Sequence, residues 1–310
     1  MKYNLRPDVR EAEERLFNED QGFILLKRRI FVDRGLDCEQ YKENYLKRRI
    51  AVRLRATGAR DYLDYLRLLR TDPDEYTRLM NELTINVTQF FRDPDVYLKL
   101  RETVLPNLME AKRRMGSRSL RIWSAGCASG EEPYSMAILL DQVMGPEISR
   151  WNVRLLGSDF DEKSLAAAKA GKYQDLEMLP GIEAEQYFEV SQTPEGGEFR
   201  VKEEIKRRMR FEKMNLLASS EPRHFDLVLC RNVLIYFGRK VQTSIIETLT
   251  KNILRDGYLV LGKSETLGPE VAARFRPTFP RERIYQVVIE TRAGARSRRN
   301  GPRETGGEGG

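Results

Sequence analysis

The chain predicts an α/β protein, with an open and mostly parallel sheet covered by helices on both faces, a small helical domain ahead of it and a small β-rich insert within it. Three observations carry that expectation. Apolar strands alternate with helical stretches from Leu120 to Ile289, the signature of repeated βαβ units. The run Phe225 to Cys230 (FDLVLC) is almost wholly apolar, as a strand buried on both faces requires. The residues up to Leu83 instead carry short stretches with helical spacing.

In chain order, Tyr41 to Thr57, Tyr62 to Leu69 and Asp74 to Leu83 are the expected short helices, punctuated by Thr71-Asp72-Pro73. Leu120 to Ala125 is a strand that breaks at Gly126 and passes into a helix led by Glu131 and Glu132. Asn152 to Asp159 (NVRLLGSD) is a second strand ending in an acid, and Asp161 is placed to cap the helix through Ser164 to Lys169. Tyr187 to Phe211 holds Thr193-Pro194 and Gly196-Gly197 between β-prone pieces, a hairpin or small β-subdomain. After FDLVLC, Val241 to Leu254 has helical spacing, and Gly257 to Gly262 (GYLVLG) and Arg283 to Ile289 (RIYQVVI) are further strands. Such a sheet offers its ligand crevice at the strand C-termini, where the topology switches.

The turn after the first strand has the wrong charge for phosphate. A helix N-terminus collects anions, but Glu131 and Glu132 would repel a pyrophosphate, and only Gly126 and Gly130 of a G-x-G-x-x-G pattern are present. A cofactor with an adenosine, ribose hydroxyls and a positive centre but no phosphate fits better, which is S-adenosylmethionine. Asp159, at the end of the neighbouring strand, is placed to hold ribose hydroxyls.

Composition excludes several other classes. His224 is the only histidine, so a histidine general base has almost no candidate. Cys38, Cys127 and Cys230 form no C-x-x-C pair and too small a set for a disulfide framework or a metal site. No apolar run approaches the ~18 residues of a membrane helix, and Lys2 and Arg6 are not followed by the apolar stretch of a signal peptide. The expectation is a cytoplasmic protein without membrane insertion. The net charge is +7, and Lys42 to Arg60 concentrates seven basic residues against one acid, Glu43. On a helix Lys42, Arg49 and Arg53 share an arc beside Leu46, Ile50 and Leu54, forming a basic stripe. No stacking aromatics accompany it, which argues against nucleic acid. The tail 291–310 holds five arginines, two glutamates and many glycines; it cannot bury a core and is expected to be disordered.

Six stretches, taken together and in order, make the chain resemble the chemotaxis receptor methyltransferases of the CheR family. They are LTINVTQFFRD (Leu83 to Asp93), RIWSAGCASGEEPYS (Arg121 to Ser135), GSDFDEKSLAAAKAGKY (Gly157 to Tyr173), MNLL (Met214 to Leu217), FDLVLCRNVLIYF (Phe225 to Phe237) and GYLVLGKSE (Gly257 to Glu265). The resemblance implies a Rossmann-like class I S-adenosylmethionine-dependent methyltransferase sheet. It implies an N-terminal helical substrate-recognition domain over 1–85, a catalytic domain over 86–290 with the β-subdomain at 187–211, and the basic tail at 291–310.

The resemblance also implies cofactor contacts from Asn86, Thr88, Arg92, Glu132, Asp159, Asn215, Leu216, Arg231 and Asn232, with Arg92 and Tyr236 facing the reacting centre. Arg92 suits either the cofactor's carboxylate or the incoming substrate carboxylate. The implied partners are the acidic methylation helices of a chemoreceptor's cytoplasmic domain, met by the basic stripe of Lys42, Arg49 and Arg53, and a receptor tether peptide at the β-subdomain. The implied reaction is O-methylation of glutamate side chains by a monomer, with no metal. A glutamate is already an anionic nucleophile at neutral pH, so positioning and desolvation carry the chemistry. The alternatives are the same chemistry on another protein or a nucleic acid, or a non-catalytic adaptor that binds the cofactor.

Overall fold

The computed structural model describes residues 7–84, 87–193, 196–218 and 223–288. Asn86 and the tail 291–310 lie outside them. Four helices come first: α1 (Pro7–Arg34), α2 (Glu43–Thr57), α3 (Tyr62–Thr71) and α4 (Pro73–Leu83). Local chemistry sets their ends. Asp61 accepts the Asp64 N–H to cap α3, and Asp72 accepts the N–H groups of Asp74 and Glu75 ahead of Pro73 to cap α4. Gly58 closes α2 at φ +74, where a side chain would be strained.

These helices enclose their own core, with Leu26, Ile30, Leu46, Ile50, Leu79 and Leu83 buried together. A buried triad fastens it across α2, α3 and α4. Arg53 donates through Nε and Nη2 to Glu75 at 2.9 and 2.6 Å, and Tyr65 Oη donates to the same carboxylate at 2.7 Å. Burial raises the Glu75 pKa, but the bonds from Arg53 and Tyr65 outweigh it and hold the carboxyl below its ordinary value.

The α/β part opens with α5 (Pro94–Lys99) and α6 (Leu105–Arg114), then β1 (Ser119–Ala125), α7 (Glu131–Met144), β2 (Asn152–Asp159) and α8 (Glu162–Ala170). Next come β3 (Lys172–Tyr173), α9 (Ala184–Tyr187), β4 (Phe188–Thr193), β5 (Gly196–Val201), α10 (Glu203–Lys206) and β6 (Met209–Lys213). The chain continues through β7 (Phe225–Cys230), α11 (Arg239–Asn252), β8 (Ile253–Leu261), α12 (Pro269–Ala272), β9 (Phe275–Phe279) and β10 (Ile284–Val287).

The main sheet runs β6-β2-β1-β7-β8-β10-β9, and β3-β5-β4 form a second, smaller sheet. Strands β6, β2, β1, β7 and β8 are parallel, while β10 is antiparallel to both of its neighbours. The order reverses at β1, so the crevice opens beyond the C-terminal ends of β1 and β7. Alternate residues face opposite layers. Ile122, Leu155, Leu227 and Val260 pack with α6 and α7, whereas Trp123, Val228, Leu259 and Leu261 pack with α11.

Two sequence expectations are corrected. The insert does not extend to Phe211, because Met209–Lys213 pairs in parallel with β2 from Leu155 to Asp159 and completes the main sheet. The strand β9 was not anticipated. It carries Pro277, which lacks a donor, and its place at the sheet edge removes the need for one. Among the described residues, no helix is long and apolar enough to cross a membrane.

Glu75→Ala would leave Arg53 and Tyr65 Oη facing an empty, buried position. A loss of about 3 kcal/mol in chemical denaturation of the intact chain is expected, and an unchanged midpoint would show the triad to be unimportant. Because the folded-state pKa of Glu75 is lowered, its contribution is complete above the ordinary carboxylate value and is lost as pH falls through the lowered one. The acid branch of the wild-type stability curve should therefore be steeper than that of the variant.

Candidate functional site

A cleft of about 1200 Å³, its open mouth included, lies between the C-terminal edge of the sheet and the helical domain. Thr88, Arg92, Glu132, Asp159, Asn215, Leu216, Arg231, Asn232 and Tyr236 all line it. Residues scattered over 149 positions of sequence are thus brought together, most of them from segments that follow the C-terminal ends of β1, β2, β6 and β7, and Thr88 and Arg92 from the segment between α4 and α5. The turn after β1 passes through Gly126 at φ +81, where a Cβ would strike the Val233 side chain. Only glycine satisfies both the conformation and the space.

Asp159 ends β2. One carboxylate oxygen accepts the Ala128 N–H at 2.9 Å and the other the Asp161 N–H at 3.0 Å. Burial raises its pKa, opposed by these N–H bonds. Glu132, in the first turn of α7, accepts from Ser124 Oγ at 2.7 Å and lies 3.5 Å from Arg231 Nη1. Its pKa is likewise raised by burial, with Arg231 acting against that. Glu131 does not reach the cleft wall, being held by Ser129 Oγ.

Arg231 organises the floor. Its side chain is 2% exposed and Nη2 donates to Asp93 Oδ2 at 2.6 Å and to the Arg92 carbonyl at 2.8 Å. Asp93 also meets Lys263 at 3.9 Å. Phe91 and Asp93 both take positive φ, as do Ala128 and Asn232 at other points of the cleft. Non-glycine residues in this region store strain that surrounding contacts must offset. Arg92 itself extends from this strained segment and donates Nη1 to the Val87 carbonyl at 3.1 Å. Tyr236 stands opposite, its ring 4.9 Å from that of Tyr45 in the helical domain. Burial raises the Tyr236 pKa and the charge of Arg92 opposes the rise.

Two polar residues of this region were not singled out from the sequence. Tyr97 lines the cleft with its hydroxyl buried and without a hydrogen-bond partner among the described residues, as is Arg231 Nε. Two unanswered donors near the Glu132 carboxylate suit a ligand bearing both signs of charge, as the amino acid end of S-adenosylmethionine does. The adenosine end finds apolar surface from Phe160, Leu216 and Leu217 near Asp159. The residues present therefore fit this cofactor. The second omission is Glu265, buried just beyond β8, whose carboxylate accepts four backbone N–H groups.

The residues of the basic stripe have partners that the sequence did not show. Arg53 is bound to Glu75, Arg49 donates to Glu82 at 3.0 Å, and Lys42 Nζ donates to the Ile235 carbonyl at 2.8 Å. All three cations thus hold the helical domain together or fasten it to the loop after β7. Arg49 and Arg53 are part-buried in these pairs, whereas Lys42 stays exposed. His224 is exposed at φ +54 ahead of β7 and does not line the cleft.

The chain matches two family models: CheR methyltransferase, all-alpha domain, over residues 21–84, and CheR methyltransferase, SAM binding domain, over residues 86–283. It is 34% identical over 261 residues to the chemotaxis protein methyltransferases of Klebsiella aerogenes and Escherichia coli. Those alignments cover 82% of this chain and 86% and 87% of theirs. An uncharacterized 104.1 kDa protein of Rhodobacter capsulatus is 35% identical over 264 residues, which are 84% of this chain but 27% of that longer protein. The chain belongs to the CheR methyltransferase family, and its cofactor is S-adenosylmethionine.

Removing a buried hydroxyl that has no partner should not destabilise the protein. Tyr97→Phe is expected to leave the melting temperature of the ligand-free protein unchanged or slightly raised, and to weaken binding of S-adenosylhomocysteine. A marked fall in ligand-free melting would show that the hydroxyl is already satisfied.

Proposed function

We propose that this CheR-family methyltransferase methylates glutamate side chains on the cytoplasmic methylation helices of chemoreceptors, giving glutamyl methyl esters. One observation carries the reading. The cleft is lined by Arg92, Arg231, Tyr236, Glu132 and Asp159, while the sole histidine is exposed outside it. A nucleophile that arrives already ionised needs no base, and a glutamate carboxylate does so at neutral pH. When bound, the cofactor supplies an electrophilic methyl on a sulfonium and departs as a neutral thioether.

In this reading Asp159 accepts hydrogen bonds from the ribose hydroxyls. Asn215, Leu216 and Asn232 border the adenosine, with Thr88 at the domain joint. Glu132 and Arg231 form the charged floor. Arg92 and Tyr236 flank the reacting centre, where a guanidinium pairs with a carboxylate and a phenol orients it. Closing acidic receptor helix over the cleft would exclude water and strengthen these contacts. Lys42, Arg49 and Arg53 shape the receptor-facing domain through their internal bonds. The sheet β3-β5-β4 leaves β4 at an edge with Val190 exposed, a place where a receptor tether peptide could add as a strand.

Transfer of labelled methyl from S-adenosylmethionine to receptor cytoplasmic fragments is the direct test. Label that is released as methanol in mild alkali identifies a carboxyl ester; stable label, or label on RNA instead, overturns the proposal. Asp159→Ala should raise the dissociation constant of S-adenosylhomocysteine at least ~10-fold, as loss of a charge-assisted hydrogen bond does. Arg92→Ala should lower turnover by ~10²-fold, the scale of lost positioning, while its melting temperature stays close to that of wild type.

A further inference from the structure

We infer that Glu265 is a positioning residue for methyl transfer, the anion around which the segment from Arg231 to Tyr236 folds. Its side chain is not on the cleft wall. It is 3% exposed, just past the end of β8. Oε2 accepts the Gly262 N–H at 2.6 Å and the Asn232 N–H at 2.9 Å; Oε1 accepts the Leu234 N–H at 2.7 Å and the Ile235 N–H at 3.3 Å. One carboxylate thus replaces four backbone acceptors that the strand ladder cannot supply beyond Cys230.

The geometry explains why this matters for chemistry. Asn232 holds φ +60, a conformation an ordinary residue keeps only when its surroundings impose it. The next residues form a tight turn, Leu234–Tyr236, whose leading N–H groups have no partner within the turn itself. Glu265 takes both. Asn232 and Tyr236 both line the cleft, and the Tyr236 carbonyl accepts from Lys42 N–H at 2.9 Å. The approach is close enough to exclude a side chain at Gly262, where a Cβ would lie 2.7 Å from Asn232 N and 2.7 Å from Glu265 Oε2. A glutamine in place of Glu265 would keep the shape but present N–H donors toward at least part of this donor set.

The inference rests on the proposed reaction for its activity readout and on hydrogen exchange for its structural one. Glu265→Gln in the full chain is expected to fold and to exchange the amides of Asn232, Leu234 and Gly262 much faster, while β1 and β7 keep their protection. Its kcat on receptor fragment should fall by ~10²-fold, as expected for displaced reacting groups, with KM for the fragment within a few-fold of wild type. Gly262→Ala, which leaves the carboxylate intact and crowds the same hydrogen bonds, should give the same pattern. It decides the matter alone if Glu265→Gln does not fold. Released amides with wild-type kcat, or unchanged amide exchange in a folded variant, would overturn the inference. If wild type does not methylate receptor at all, the proposed function fails, and amide exchange together with S-adenosylhomocysteine affinity still tests the clamp.

Discussion

A guanidinium taken out of water must find anions, and the placement of Arg231 makes much of the cleft a consequence of that requirement. Its desolvation is costly, and the offset comes from Asp93 in the segment joining the two parts of the chain and from Glu132 at the head of α7. The same guanidinium closes on the Arg92 carbonyl, which lies between two residues with positive φ. Losing the cation would leave the buried Glu132 without its guanidinium, leave Asp93 with Lys263 alone and free the segment that presents Arg92. One buried charge therefore fixes the end of β7, the entry to α7 and the interdomain segment relative to one another.

The helical domain completes the site through backbone as much as side chains. Tyr41 pairs with Phe237 as an isolated bridge, the Gly238 N–H donates to the Gln40 carbonyl at 3.2 Å, and Tyr45 and Tyr41 pack on Tyr236 and Phe237. Phe160, directly after Asp159, is also packed against the helical core. The loop after β7 is thus held by Glu265 from the sheet side and by the helical domain from the other. A cleft built this way has its polar groups ordered before any ligand arrives, which is the condition for positioning to contribute to rate.

Charge proved the least transparent property. The spacing of Lys42, Arg49 and Arg53 on one arc of α2 was legible, and so was their helix. Their partners were not, because Glu75 and Glu82 lie 22 and 33 residues away on a different helix. A run of like charges in sequence has no information about the acids that tertiary packing brings against it. Glu265 and Tyr97 were hidden for the complementary reason: an acid or a phenol at a strand end or in a helix is ordinary until its surroundings show what its polar atoms bind or lack.

The sequence by itself determined the alternation of strands and helices, the glycine turn after β1, the acid ending β2 and the cap at Asp161, while the resemblance supplied Thr88, Arg92, Asn215, Leu216, Arg231, Asn232 and Tyr236. The former are properties of local periodicity, backbone conformation and residue chemistry, which neighbouring positions specify. Only the tertiary structure decided the antiparallel edge at β9 and β10, the return of Met209–Lys213 to the main sheet, the internal use of Arg49 and Arg53, and the backbone clamp at Glu265. Each of these depends on the closure of contacts between distant segments, where burial sets the cost of an unpaired polar group and so selects which partner it meets.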